Sequence, residues 1–195
     1  MFGTRILEER KSRFNSNIKV VRSLGLGTYI QAGGITQSGG VVEGIWRQTL
    51  KKIKHSPSVI NHCLILGLGG GTVAKLIRKN WPNAKITGVE IDPVMVELGV
   101  RYLRLEDSKT KIIIGDARKF KLGKYDLVIV DSYLGDKYID LLSNDLKKSK
   151  IVVFNRLYFG EKRKEAVKFG NKLEKIFKKL EWFYPQANLM FLCYN

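Results

Sequence analysis

The chain divides by the period of its apolar positions. From His62 onward, the runs "CLILG", "KITGVEI", "KIIIGD", "YDLVIVD", "KIVVFN" and "NLMFLCY" alternate with stretches of helical period. Runs that are apolar at nearly every position belong to strands buried on both faces. The alternation therefore predicts an α/β fold, a Rossmann-like, doubly wound and mostly parallel sheet with helices on both faces. Earlier in the chain, "NIKVV" and "TYIQA" flank the glycine-bearing "RSLGLG" and predict a short N-terminal β-hairpin. "GGITQSGG" reads as a flexible turn. "VVEGIWRQTLKKI" then places Val42, Trp46, Leu50 and Ile53 on one helical face, a helix linking the hairpin to the sheet. Near the C-terminus, Glu161 to Leu180 reads as one helix with Ala166, Gly170, Leu173, Phe177 and Leu180 on its apolar side. Two parts are expected, residues 1–55 with the hairpin and linking helix and residues 56–195 with the sheet.

In such sheets ligands bind beyond the carboxyl ends of the strands. Those ends hold an ordered set of groups. Gly67, Gly69, Gly70 and Gly71 follow the first strand, Glu90 ends the second, Asp116 follows the third and Asp131 ends the fourth. Glycines let a ligand approach the backbone, and the helix after them offers unpaired N–H groups. Glu90 lies 23 positions beyond Gly67, close to the roughly 20 at which an acid holds the ribose hydroxyls of a nucleotide. Asp92 and Pro93 are suited to cap and start the next helix. Each residue alone has a packing explanation, but together and in strand order they point to a bound nucleoside. Which nucleoside stays open at this stage, because dinucleotide dehydrogenases share the glycine turn and the acid.

Composition narrows the setting. With 195 residues and 44% hydrophobic content, the chain fits one domain with a small appendage and excludes disorder. No apolar run approaches the roughly 18 residues of a membrane span. The opening "MFGTRILEERKSR" is charged where a signal peptide is hydrophobic, so a cytoplasmic protein with no membrane partner is expected. Cys63 and Cys193 sit in apolar segments without metal-ligand spacing, which predicts buried thiols and no metal site. The formal charge of +17 suits a nucleic-acid partner. Lysine outnumbers arginine, however, and many cations lie on the polar face of the C-terminal helix. A solvated basic face is favoured over nucleic acid.

From Ile18 to about Gly135 the sequence resembles the spermidine synthase family, within the S-adenosylmethionine-dependent methyltransferase superfamily. "LILGLGGGTVAKL" is similar to the family's glycine motif and "VEIDPVMVELG" to its ribose motif. "IIIGDARKF" is similar to its adenine motif and "YDLVIVDSY" to its catalytic strand, while "GITQSGGVVEGIW" resembles the segment entering the first helix. The resemblance implies S-adenosylmethionine, or its decarboxylated form, as cofactor, a small acceptor such as an amine as substrate, and a homodimer. Gly67, Gly69 and Gly71 would shape the turn, Glu90 would accept from both ribose hydroxyls, and Asp116 would meet the adenine amino group. Gly70, Ile91 and Ala117 complete the cofactor side. Asp131 would handle the acceptor, with Tyr133 supplying a hydroxyl or an aromatic lid.

The departures from the family pattern bear on the reaction. Gly70 stands where the family has an aspartate for the donor's ammonium group, removing a charge-assisted bond of roughly 1.5–3 kcal/mol. The family's Tyr-His-Glu reads Trp46, Arg47 and Gln48, its hairpin glutamine reads Ser16, and Leu134 replaces a second acceptor aspartate. Asp136 and Asp140 are the acids left to substitute, and the chain is shorter than a full spermidine synthase. These changes favour methyl or related alkyl transfer over spermidine synthesis, which is aminopropyl transfer from the decarboxylated donor to putrescine. A nucleoside-binding module without catalysis is a third reading. A nucleic-acid methyltransferase lacks support because "DSYL" is not the Asp/Asn-Pro-Pro-Tyr pattern, and no residues are committed to a nicotinamide.

Overall fold

A computed structural model describes residues 3–54 and 59–195. Four strands, β1 (Thr4–Ser12), β2 (Ser16–Ser23), β3 (Gly27–Ala32) and β4 (Ile35–Gly39), form an antiparallel sheet in that order. The expected hairpin is β2–β3, with Val20 opposite Ile30. Two strands exceed the expectation. β1, "TRILEERKS", is an edge strand whose charges conceal its alternation. "ITQSG" is β4 rather than a flexible turn, because Gly33 and Gly34, at φ 59° and 76°, close a two-residue hairpin from Ala32 to Ile35.

Helix α1 (Gly40–Lys54) leads to the main sheet. Its first half is β5 (His62–Leu66), α2 (Thr72–Asn80), β6 (Lys85–Glu90), α3 (Pro93–Leu103), β7 (Lys111–Ile114) and β8 (Leu127–Val130). A small hairpin of β9 (Tyr133–Leu134) and β10 (Lys137–Tyr138) follows. The chain finishes with β11 (Ile151–Leu157), α4 (Lys162–Glu174), β12 (Lys179–Phe183) and β13 (Asn188–Tyr194). The order across the sheet is β12-β13-β11-β8-β5-β6-β7, with β13 antiparallel to both neighbours and the five strands from β11 to β7 parallel.

Successive side chains of a strand point to opposite faces, and that alternation builds two cores. Cys63, Ile65, Ile129 and Val153 meet Trp46 and Leu50 of α1 and Ala74 and Ile77 of α2. Leu64, Leu66, Val128 and Val152 meet Ala166, Phe169 and Leu173 of α4. The doubly wound expectation holds. The N-terminal sheet lays Ile18, Val20 and Ile30 on Met95, Leu98 and Leu103 of α3. Because α1 enters one core and this sheet covers α3, the two expected parts share buried contacts; the boundary expected at residues 55 and 56 lies outside the described residues.

The expected helix from Glu161 to Leu180 is shorter. α4 ends at Glu174, and "KLEWF" pairs with β13 as β12. The edge of β13 is created only by the fold, and Leu180 takes its place on a strand there. Gly170 lets α4 approach closely, since a Cβ would come within 2.4 Å of Trp182 and 2.5 Å of Phe191. Both cysteines are buried free thiols, and burial pushes Cys63 up to about 12. Among the described residues no helix is long and apolar enough to cross a membrane.

Candidate active site

The strand order reverses between β5 and β8, and a cavity of about 230 Å³ opens beyond their carboxyl ends. Gly67, Gly69, Glu90, Ile91, Asp116, Ala117, Asp131 and Tyr133 all line it. Gly67, at φ 91°, passes so close to β8 that a Cβ would lie 2.2 Å from the Asp131 carbonyl oxygen. This approach puts the glycine turn against the end of β8.

Glu90 is 8% exposed, and each of its oxygens is held by the loop around it. Oε2 accepts from the Gly69 N–H at 2.7 Å and Oε1 from the Asp92 N–H at 3.0 Å. Burial raises its pKa, opposed by these backbone donors. Each oxygen keeps lone-pair capacity for a vicinal diol, with Ile91 beside it as apolar surface. Asp92 itself is fully buried, caps α3 through Val94 N–H, and accepts from Asn15 at 2.7 Å.

Asp116 reaches the cavity with Ala117, but its carboxylate is occupied. Arg118 donates to it from the backbone and from Nε and Nη2, the last at 2.7 Å. The Arg118 side chain and N–H hold Asp116 below its ordinary range. An adenine amino group there must share these oxygens with Arg118.

Asp131 ends β8 with a partner on each oxygen. The Trp46 Nε1–H donates to Oδ2 at 2.9 Å, and Asn155 Nδ2 donates to Oδ1 at 2.8 Å. Asn155 in turn accepts from Asn188 Nδ2 at 2.7 Å. Burial pushes Asp131 up to about 6, against the pull of Asn155, Trp46 and the charge of Arg156. The chain Trp46–Asp131–Asn155–Asn188 joins α1, β8, β11 and β13. Asn155 escaped the sequence reading, although a polar residue near the end of "IVVFNRL" was the available signal.

Three of the expected residues make other contacts. The Tyr133 hydroxyl donates to the Asn155 carbonyl at 3.0 Å and accepts from the Leu157 N–H at 3.1 Å. Burial and then the Asp131 charge raise its pKa, against the Leu157 N–H. It fastens the β9–β10 hairpin to β11 with its hydroxyl engaged by backbone on both sides, while the residue still lines the cavity, the position expected of an aromatic lid. Gly70 faces the N-terminal sheet, not the cavity: its Cβ would meet Ile30 at 2.8 Å and Leu103 at 3.0 Å, and its N–H donates to Ser38 Oγ at 2.8 Å. Gly71 packs under Leu105, with its N–H on the Leu68 carbonyl. Both serve the turn and contribute no group to the cavity wall.

The substitutes for the missing acceptor acids are also elsewhere. Asp136 pairs with Lys162 at 2.8 Å, and Asp140 caps the Leu142 N–H at 3.0 Å; neither lines this cavity. Apart from Arg118, which is paired with Asp116, the remaining wall is apolar or neutral, including Ile35, Gln37, Val42, Ile45, Ile139 and Leu157. Gln37 donates to the Gly135 carbonyl at 2.9 Å and Asn15 accepts from the Gly135 N–H at 3.2 Å. These bonds pin the β9–β10 strap to the N-terminal sheet across the cavity.

A methyltransferase-domain family model matches residues 63–146. A polyamine aminopropyltransferase from Vibrio vulnificus is 34% identical over 97 residues, 46% of this chain and 32% of that protein. The chain thus spans about a third of that relative's length. The spermidine synthase structure from Thermotoga maritima superposes with a TM-score of 0.73 at 19% identity, covering 97% of this chain and 72% of that one. Human methyltransferase-like protein 13 in complex with SAH gives 0.57 at 18% identity, covering 79% of each chain. The fold these structures share is the one described above.

Proposed function

We propose that this chain, spermidine synthase-like and built on the S-adenosylmethionine-dependent methyltransferase fold, is a transferase. In this reading it binds S-adenosylmethionine and passes a methyl or related alkyl group to a small acceptor that is not a diamine. The observation that carries the reading is the set of acids in the cavity. Glu90, Asp116 and Asp131 are its carboxylates among the described residues. With Glu90 on the ribose and Asp116 on the adenine, Asp131 alone remains for donor tail and acceptor. A decarboxylated donor brings an ammonium and putrescine brings two, and each needs a partner when removed from water. The neutral Gln37, Ser38 and Thr72 at the donor end suit a zwitterionic amino-acid tail better. The relatives' names point to polyamine aminopropyl transfer, and the acid inventory argues against it here.

The bound sulfonium supplies an electrophilic carbon, so the chain's task is alignment. Glu90 and the glycine turn orient the nucleoside. Asp131, fixed by Trp46 and Asn155, orients the acceptor's nucleophile and takes its proton as the new bond to carbon forms and the carbon–sulfur bond breaks. With a pKa of about 6, Asp131 cannot strip an alkyl ammonium titrating near ~10, so the acceptor enters neutral. The test is competition calorimetry with S-adenosylmethionine against its decarboxylated form, followed by transfer assays from labelled donors to putrescine and to uncharged acceptors. The carboxylated donor should bind at least as tightly. A strong preference for the decarboxylated donor with aminopropylation of putrescine would overturn the proposal.

A further inference from the structure

Beside the nucleoside cavity, and sharing Tyr133 and Leu157 with it, a second groove of about 680 Å³ runs between the β9–β10 hairpin and α4. Its floor is Arg156 of β11, which is only 6% exposed. The guanidinium carbon lies 2.9 Å from the centroid of the Tyr138 ring and 3.6 Å from that of Phe169. Nη1 donates to the Asn155 carbonyl at 3.1 Å. Among the described residues no carboxylate forms an ion pair with Arg156. The groove's own acids are turned to other work, Asp136 to Lys162 and Asp140 to the Leu142 N–H. Glu165 is exposed on α4, and Lys137, Lys168 and Lys172 add positive charge to the rim.

Removing a cation from water carries a penalty that a carboxylate usually offsets. Two aromatic faces offset part of it. Burial accordingly pulls Arg156 below its ordinary range. The side chain retains N–H donors beyond the one given to Asn155, in the planar fork that matches an oxyanion. The Tyr138 hydroxyl, next to it, is buried without a hydrogen bond of sound geometry and interacts with the guanidinium itself. A buried arginine with no ion-paired acid, a hydroxyl without a well-formed hydrogen bond and a lysine rim meet in one groove.

We propose that this groove binds a small oxyanion, the phosphate or carboxylate group of a metabolite, seated on Arg156 and flanked by Lys168 and Lys172. The site adjoins the nucleoside cavity and does not depend on the reaction assigned there. The full chain, labelled with nitrogen-15, would be titrated with inorganic phosphate and separately with acetate at constant ionic strength, following the arginine Nε–H signals. The expected result is a saturable shift of the Arg156 signal. Stronger binding of phosphate identifies a phosphate ester as the natural group, and equal or stronger binding of acetate identifies a carboxylate. Lys168→Ala with Lys172→Ala, both at exposed positions, should weaken the anion at least about fivefold while S-adenosylhomocysteine affinity stays unchanged. Arg156→Lys keeps the charge but not the fork and should lose most of the binding; if it does not fold, the lysine pair decides. No saturable shift at Arg156 with either anion, or a lysine variant that binds like wild type, would overturn the proposal.

Discussion

Trp46→Phe removes the indole donor to Asp131 while keeping an aromatic ring on α1. The bond is 2.9 Å long and its acceptor is a carboxylate, a class worth about 1.5–3 kcal/mol. At about 1.4 kcal/mol per pKa unit, its loss should carry Asp131 to roughly 7–8. The sign follows from linkage. In the fold Asp131 titrates at about 6, above its ordinary 3.8, so the folded chain holds that proton more tightly than the unfolded one. Its stabilising contribution is fully present below 3.8 and is lost as pH rises through about 6. In the variant the loss continues to roughly 7–8. Trp46 is fully buried, so the smaller ring adds a pH-independent packing cost of about 1–3 kcal/mol. Urea unfolding of both proteins between about pH 5 and pH 8.5 separates the two effects. At the acid end the difference is packing alone; at the basic end it should grow by about 1.5–3 kcal/mol. Carbon-13 NMR of the Asp131 carboxyl gives the titration directly. A stability difference that is flat across this range would refute the coupling.

Glu90→Gln should weaken S-adenosylhomocysteine binding by about 1–3 kcal/mol, because one amide face cannot accept from a ribose hydroxyl; equal affinities by calorimetry would remove Glu90 from the site. Gly70→Asp should destabilise the fold by about 1–3 kcal/mol, since its carboxyl is driven against Ile30 and Leu103. It should create no preference for the decarboxylated donor; competition binding showing that preference in a folded variant would return position 70 to the site. Tyr133→Phe leaves the Asn155 carbonyl and Leu157 N–H without their partner, costing about 1–3 kcal/mol of stability with donor affinity unchanged. Lost turnover at wild-type stability would restore Tyr133 to the chemistry.

What the sequence determined by itself was whatever depends on chain-local pattern. Apolar runs such as "CLILG" and "DLVIVD" carry the signature of strands buried on both faces, and Gly67, Glu90, Asp116 and Asp131 follow from their positions at strand ends. Those positions fix where a Cα lies, and all four residues do line one cavity. Side-chain direction and partners are a different matter, because they depend on elements far apart in the chain. Gly70 sits in the same turn as Gly69, yet Ile30 and Leu103 fill the space its side chain would take. Tyr133 follows Asp131 by two residues, yet the backbone of β11 claims its hydroxyl. Trp46 and Asn155 lie 85 and 24 positions away from Asp131 and meet on its two oxygens only after α1 and β11 have packed beside β8. Secondary structure obeys the same division: "KLEWF" continues a helical run locally and becomes β12 only when β13 presents an edge to pair with. The sequence therefore determined which strand ends would line the cavity proposed to hold a nucleoside. Tertiary packing decided which of the groups there remain free to act, because a polar group removed from water takes whichever partner the fold brings within reach.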